Sequence, residues 1–212
     1  MAAHGRSALR DLFDESPTPH IAHPPRTHHR DFYVATDGSF RSGPVDEPAG
    51  GLGVVIEARD GTRVARVALS DGPPNNNVAE YRALHLGLDV LAARSPPSAR
   101  VGVLVDHDDL AANVNAAVLA ARDRGWSPAE SPGVPTESLY HWRGIQARLR
   151  GFDEARAARI HSEDNPAHPL ANAPNRYEHV NDEPDRCVLP DVSGTAEPGV
   201  PPPSRKDRHA GD

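Results

Sequence analysis

Apolar and polar positions alternate through residues 32–40, FYVATDGSF, with Phe32, Val34 and Thr36 on one side and Tyr33 and Ala35 on the other. A period of two predicts a half-buried strand. Residues 50–58 (GGLGVVIEA) and 62–70 (TRVARVALS) read as two more strands, and Arg59-Asp60-Gly61 between them predicts a hairpin turn with a glycine free to take positive φ. Asp71-Gly72-Pro73-Pro74 breaks the chain, after which residues 75–94 read as a helix closed by Ser95-Pro96-Pro97. Residues 100–106 form a short apolar strand ending on Asp106. A second helix is predicted over 108–124, rich in alanine and carrying Leu110, Val114 and Val118 at helical spacing. Beyond a loop at 125–137 come a third helix at 138–150, a last strand at 155–161 and a short helix within 165–172. The order βββαβααβα predicts an α/β fold with a mixed sheet flanked by helices, its first three strands antiparallel and its strand-helix-strand crossover right-handed and parallel.

Composition sets the limits of that unit. Of the 212 residues, 1–30 hold five of the twelve histidines, four prolines and few large apolar side chains, which predicts a disordered His/Pro-rich tail. Residues 176–212, with six prolines and mixed charge, predict a second, Pro-rich one. The globular domain is expected over 31–175, long enough to bury a substantial core. The single cysteine, Cys187, precludes an intramolecular disulfide and fits a reducing compartment. Neither a signal-peptide core nor an apolar run of membrane-spanning length is evident, so a soluble, cytoplasmic, monomeric protein with no membrane partner is expected. Net charge is −7, and residues 31–175 carry 14 arginines against 19 acids, which excludes a strongly basic nucleic-acid footprint. Bound divalent cations would reverse the sign locally, so a polyanionic substrate is disfavoured but not excluded.

Four polar positions stand out from this pattern. Asp37 sits in an otherwise apolar strand, where a bare charge is costly to desolvate; it is either a metal or catalytic acid or the acid of an Asp-Gly turn. Glu80 lies in the first turn of helix 75–94, three residues after Asn77, which also fits a capping box. Asp106 ends a strand of buried residue types and fits equally well an N-cap of the helix that follows. His168 opens the last helix, where a lone histidine is ordinarily a surface or capped residue. Leu139, Trp142 and Leu149 fall at helical spacing and read as core, with Arg143, Arg148 and Arg150 on the remaining surface, where phosphate contacts are an alternative.

In combination, Thr36-Asp37-Gly38-Ser39, Asn76-Asn77-Val78-Ala79-Glu80, Val105-Asp106 and Asn165-Pro166-Ala167-His168-Pro169-Leu170-Ala171-Asn172 resemble ribonuclease H of type 1, in order and over nearly all of residues 31–175. The resemblance implies an RNase H-like fold, a five-stranded mixed sheet flanked by helices, and a nuclease that cuts the RNA strand of an RNA/DNA hybrid to give 5′-phosphates. It implies a two-metal site for Mg²⁺ or Mn²⁺ on Asp37, Glu80, Asp106 and His168, with Asp37 bridging the two ions. Gly38, Ser39, Asn76 and Asn77 are then expected to bind substrate, the Gly38 amide and the two asparagines at sugar 2′-hydroxyls. The sequence departs from the family at His168, where an aspartate is usual, and imidazole suits Mn²⁺ better than Mg²⁺. It departs again at His107, where the family often has serine, and it has no basic protrusion between the second and third helices. A catalytically weak or inactive nucleic-acid-binding protein of the same fold is the alternative, and a resolvase or transposase core a more distant one.

Overall fold

The computed structural model describes residues 8–22, 29–41, 50–124 and 133–177. Five strands form one sheet: β1 (Phe32–Phe40), β2 (Gly50–Ala58), β3 (Arg63–Asp71), β4 (Arg100–Val105) and β5 (Glu154–Arg159), in the spatial order β3-β2-β1-β4-β5. The first three pair antiparallel, while β4 lies parallel to both β1 and β5, so the expected mixed sheet is present. The β2–β3 hairpin closes as its sequence predicts. Gly61 sits at φ +85°, Ala58 N–H donates to Thr62 O at 2.8 Å, and the Asp60 carboxylate accepts from Thr62 N–H at 2.9 Å.

One face of the sheet carries α2 (Asn76–Arg94), α3 (Asp108–Arg124) and α4 (Leu139–Leu149), with a 3-10 turn at Thr136–Ser138 leading into α4. Val34, Val54, Val67, Val101 and Val103 meet Leu84, Leu88, Leu91, Val114 and Trp142 there in the larger core. Within α4, Trp142 and Leu149 are buried as expected, but Leu139, the first residue of the helix, is exposed at its N-terminal end.

The other face holds the main departure from the sequence reading. Residues 1–30 were expected to be a tail, yet α1 (Leu9–Glu15) packs Leu9 and Phe13 against Tyr33, Ala35 and Leu104 in a second core. Phe13 meets Tyr33 edge to face, with ring centroids 5.6 Å apart. Leu9 N–H donates to Glu57 Oε2 at 2.9 Å, Pro17 O accepts from Arg159 N–H at 2.9 Å, and Pro19 O accepts from Asn115 Nδ2 at 2.7 Å. Residues 8–22 are thus tied to β2, β5 and α3. With both faces covered, Tyr33 to Ser39 are all buried, and β1 is a fully buried strand where alternation had predicted a half-buried one. The Pro-rich tail expected at 176–212 lies outside the described residues apart from Arg176 and Tyr177, which end the described chain after α5 (His168–Asn172) and a 3-10 turn at Pro174–Arg176. No helix among the described residues is long and apolar enough to cross a membrane.

Candidate active site

Period-two geometry places Asp37 on the same face of β1 as Tyr33 and Ala35, the face that α5 covers, and Gly38 on the face toward α2. Neighbouring residues of one strand therefore address two different helices. A Cβ on Gly38 would stand 2.2 Å from Ala79 C and 2.4 Å from Glu80 N, so glycine is required for α2 to approach this closely. The close approach serves helix packing. The Gly38 amide donates to Glu80 Oε2 at 3.3 Å, a bond that competes with the sugar contact expected of it. The buried Ser39 hydroxyl donates to Ala171 O at 2.7 Å.

The last helix is seated by small residues and one asparagine. A Cβ on Gly53, the partner of Asp37 in β2, would lie 2.2 Å from Ala167 O, and one on Gly51 would lie 2.4 Å from Ala171 O. Asn165, buried, donates from Nδ2 to Thr36 O at 2.9 Å and accepts from Ala167 N–H at 3.0 Å. This bond pins the start of α5 to the residue preceding Asp37. His168 Nδ1 then stands 3.3 Å from Asp37 Oδ2, and the Asn172 side-chain amide lies 3.1 Å from the His168 ring. Asn165 was visible in the sequence as the opening residue of its motif, but only the structure shows what it ties together.

Asp37, Asp106 and His168 converge, each offering a ligand atom within 4.8 Å of the others. Glu80 is not in that group; its carboxylate is turned to the Gly38 amide, though it is near enough to feel the charges of both aspartates. Asp37 is pushed up to about 8, by burial first and then by the charge of Asp106 and a hydrogen bond to it. Burial, followed by the charges of Asp37 and Asp106, raises Glu80 well above the usual carboxylate range. Its one opposing influence is the Gly38 amide.

The capping alternatives are decided by who holds which amide. Asn75, not Asn77, caps α2, its Oδ1 accepting from Val78 N–H at 2.9 Å, so the Asn77–Glu80 capping box does not form. At α3 the cap is His107, whose Nδ1 accepts from Leu110 N–H at 3.2 Å and whose carbonyl accepts from Ala111 N–H. Asp106 is thereby left to face Asp37. Asn76 and Asn77 are exposed at the opening of α2, with Asn77 Oδ1 3.0 Å from His107 Nε2. Of the α4 arginines, Arg148 is spent on Asp89 at 2.7 Å, against the phosphate alternative for it.

A groove of about 820 Å³ lies at the far end of α5, lined by Arg41, Gly50, Ser70 and residues 171–176. It contains none of the convergent groups. The chemistry of the carboxylate cluster marks it as the candidate site.

No family model matches the chain, and no curated protein sequence is similar to it. Solved structures are. The protease-reverse transcriptase of a foamy virus in complex with RNA/DNA hybrid shares 19% identity over 67% of this chain and 19% of that one, at a TM-score of 0.53. The RNase H1 of Halobacterium salinarum NRC-1 shares 22% identity over 68% of this chain and 97% of that one (TM-score 0.49), and the N-terminal RNase H domain of rv2228c from Mycobacterium tuberculosis shares 24% over 66% and 95% (TM-score 0.47). At these identities the likeness speaks to architecture, and the sheet order and helix placement are those of the RNase H-like fold.

Proposed function

We propose that this chain, built on an RNase H-like fold, is a metal-dependent endonuclease hydrolysing the RNA strand of RNA/DNA hybrids to 5′-phosphate products. The observation that carries the reading is the convergence of Asp37, Asp106 and His168 within 4.8 Å, with Glu80 beside them.

The donor set fits a divalent cation. Asp37 Oδ2 is closed off from water, with His168 Nδ1 3.3 Å away, and two carboxylates this close repel one another unless a proton or a cation lies between them. Two carboxylates and an imidazole suit Mn²⁺ better than Mg²⁺, which demands hard oxygen ligands. Asp37, Asp106 and His168 would hold the ion, with Glu80 completing a second site. A bound cation supplies neutralisation of the phosphodiester and a water of lowered pKa. The remaining tasks fall to the chain. Asn165, Gly53 and Ser39 keep α5 against β1 and so fix His168 beside Asp37. On this reading the exposed Asn76 and Asn77, at the opening of α2, meet sugar 2′-hydroxyls of an RNA strand.

The test is cleavage of an end-labelled RNA/DNA hybrid with Mn²⁺ and Mg²⁺ separately. Cutting of the RNA strand by the wild type, faster with Mn²⁺, and a loss of about a hundredfold or more in Asp37→Asn are expected. A wild type that binds hybrid but cuts it with neither metal would make the protein a binding module.

A further inference from the structure

His107 occupies the place after Asp106 and touches two elements at once. Its Nδ1 accepts the Leu110 amide at 3.2 Å, and a backbone N–H can only donate, so the proton of the neutral ring resides on Nε2. That N–H points at Asn77, whose near atom, 3.0 Å away, must therefore be the carbonyl oxygen Oδ1. The His107 ring stands edge to face with Tyr81, centroids 6.5 Å apart, and Tyr81 is itself fully buried with its hydroxyl accepting from Asn113 Nδ2 at 2.8 Å. The amide of Asn77 is symmetric in shape and has two orientations of similar steric cost; the cap of α3 selects one of them.

We infer that His107 is a positioning residue for substrate recognition: it fixes the Asn77 amide with its oxygen inward, so that the NH₂ group faces out as a pair of donors for a hydrogen-bond acceptor on the nucleic acid, such as a ribose 2′-oxygen. This deepens the nuclease reading and rests on it for the identity of the ligand. Serine at 107 caps a helix equally well but cannot span the gap to Asn77. The histidine thus couples the start of α3 to the start of α2 in a way that a plain capping residue does not.

Two measurements test this. Nitrogen-15 NMR of the full chain reads the tautomer directly, and the Nε2–H form of His107 is expected; an Nδ1–H ring overturns the inference whatever the protein binds. The second uses His107→Ser, which retains a cap, together with Asn77→Ala and the double variant, on RNA/DNA hybrid and on the same hybrid 2′-O-methylated. His107→Ser is expected to keep its melting temperature and kcat while KM for the hybrid rises about threefold to tenfold, the worth of one hydrogen bond. Asn77→Ala is expected to show a similar rise, and the double variant no more than the larger single effect. Unchanged KM in His107→Ser, or losses that add in the double variant, would overturn the coupling. A wild type that neither binds nor cuts hybrid would instead remove the proposed function and its ligand, an outcome that the NMR arm keeps distinct from failure of the orientation itself.

Discussion

At the scale of single residues the site is governed by crowding of negative charge. Asp37 is nearly inaccessible, and burial together with Asp106 pushes its carboxyl up to about 8. Its folded pKa lies above the unfolded value near 4, so the stability linked to its proton is complete below pH 4 and is lost as pH rises through 8. Asp37→Asn, which cannot ionise, is therefore expected to melt above the wild type in EDTA at pH 9 and to lose most of that advantage at pH 5, as differential scanning calorimetry at the two pH values would read. His168 offers a second test. Replacing it by aspartate gives the cluster an all-oxygen donor set, and the ratio of Mg²⁺- to Mn²⁺-supported cleavage should rise; an unchanged ratio would mean that the ring serves some purpose other than metal choice. Asp37 stood out in the sequence as an acid in an apolar strand, whereas Glu80, Asp106 and His168 each had an ordinary capping or surface reading and became candidates through the resemblance to ribonuclease H of type 1. The fates of Gly38 and Ser39 were not legible there, since whether an amide or hydroxyl faces substrate or a neighbouring helix depends on contacts 42 and 132 residues away.

At the scale of elements, five strands and four of the helices could be read from period and punctuation, with boundaries moving by one or two residues. The exception is α1, whose seven residues span too few turns for a periodic signal to rise above composition. In α1 the signal was only Leu9 and Phe13, four apart, inside a stretch dominated by histidine and proline. Those two side chains close the second core, so Phe13→Ala is expected to cost about 3 to 5 kcal/mol in urea denaturation, whereas a tail residue would cost nothing. For α5 the decisive positions are glycines of β2. A methyl group at Gly53 collides with the Ala167 carbonyl, which moves only if α5 does. Gly53→Ala should thus lower metal-dependent cleavage through displacement of His168 while leaving the carboxylates in place, and a variant of full activity would show that α5 tolerates the shift.

At the scale of the whole molecule, two groups of buried titratable residues pull stability in opposite directions. His85 on α2 and His141 on α4 are buried with their Nδ1 atoms 3.3 Å apart, and His85 fits against Gly144, where a Cβ would lie 2.1 Å from its Nε2. Burial lowers both to about 3, with Arg148 adding to the effect on His85, and His85 and Arg82 to that on His141. Their folded values lie below the unfolded 6.5, so the stability they lend is complete above pH 6.5 and is lost as pH falls toward 3. Two such protons give a slope of up to about 2.7 kcal/mol per pH unit. Asp37 and Glu80 act with the other sign, losing stability as pH rises from about 4 through 8 for Asp37. Between roughly pH 4.5 and 6.5 the two slopes oppose one another; above 6.5 only the carboxylates remain, so the metal-free protein should be most stable on the acid side of neutrality. A divalent cation binds the ionised carboxylates and competes with their protons, which relieves the alkaline limb but leaves the histidine limb untouched. The pH of maximal melting temperature is accordingly expected to move up by about one unit or more between EDTA and saturating Mn²⁺, with the acid limb superimposable in the two series. Should both limbs move together, or neither, the ion would be binding somewhere other than at Asp37 and Glu80. In Asp37→Asn the alkaline limb should already be shallower in EDTA, and Mn²⁺ should shift it little.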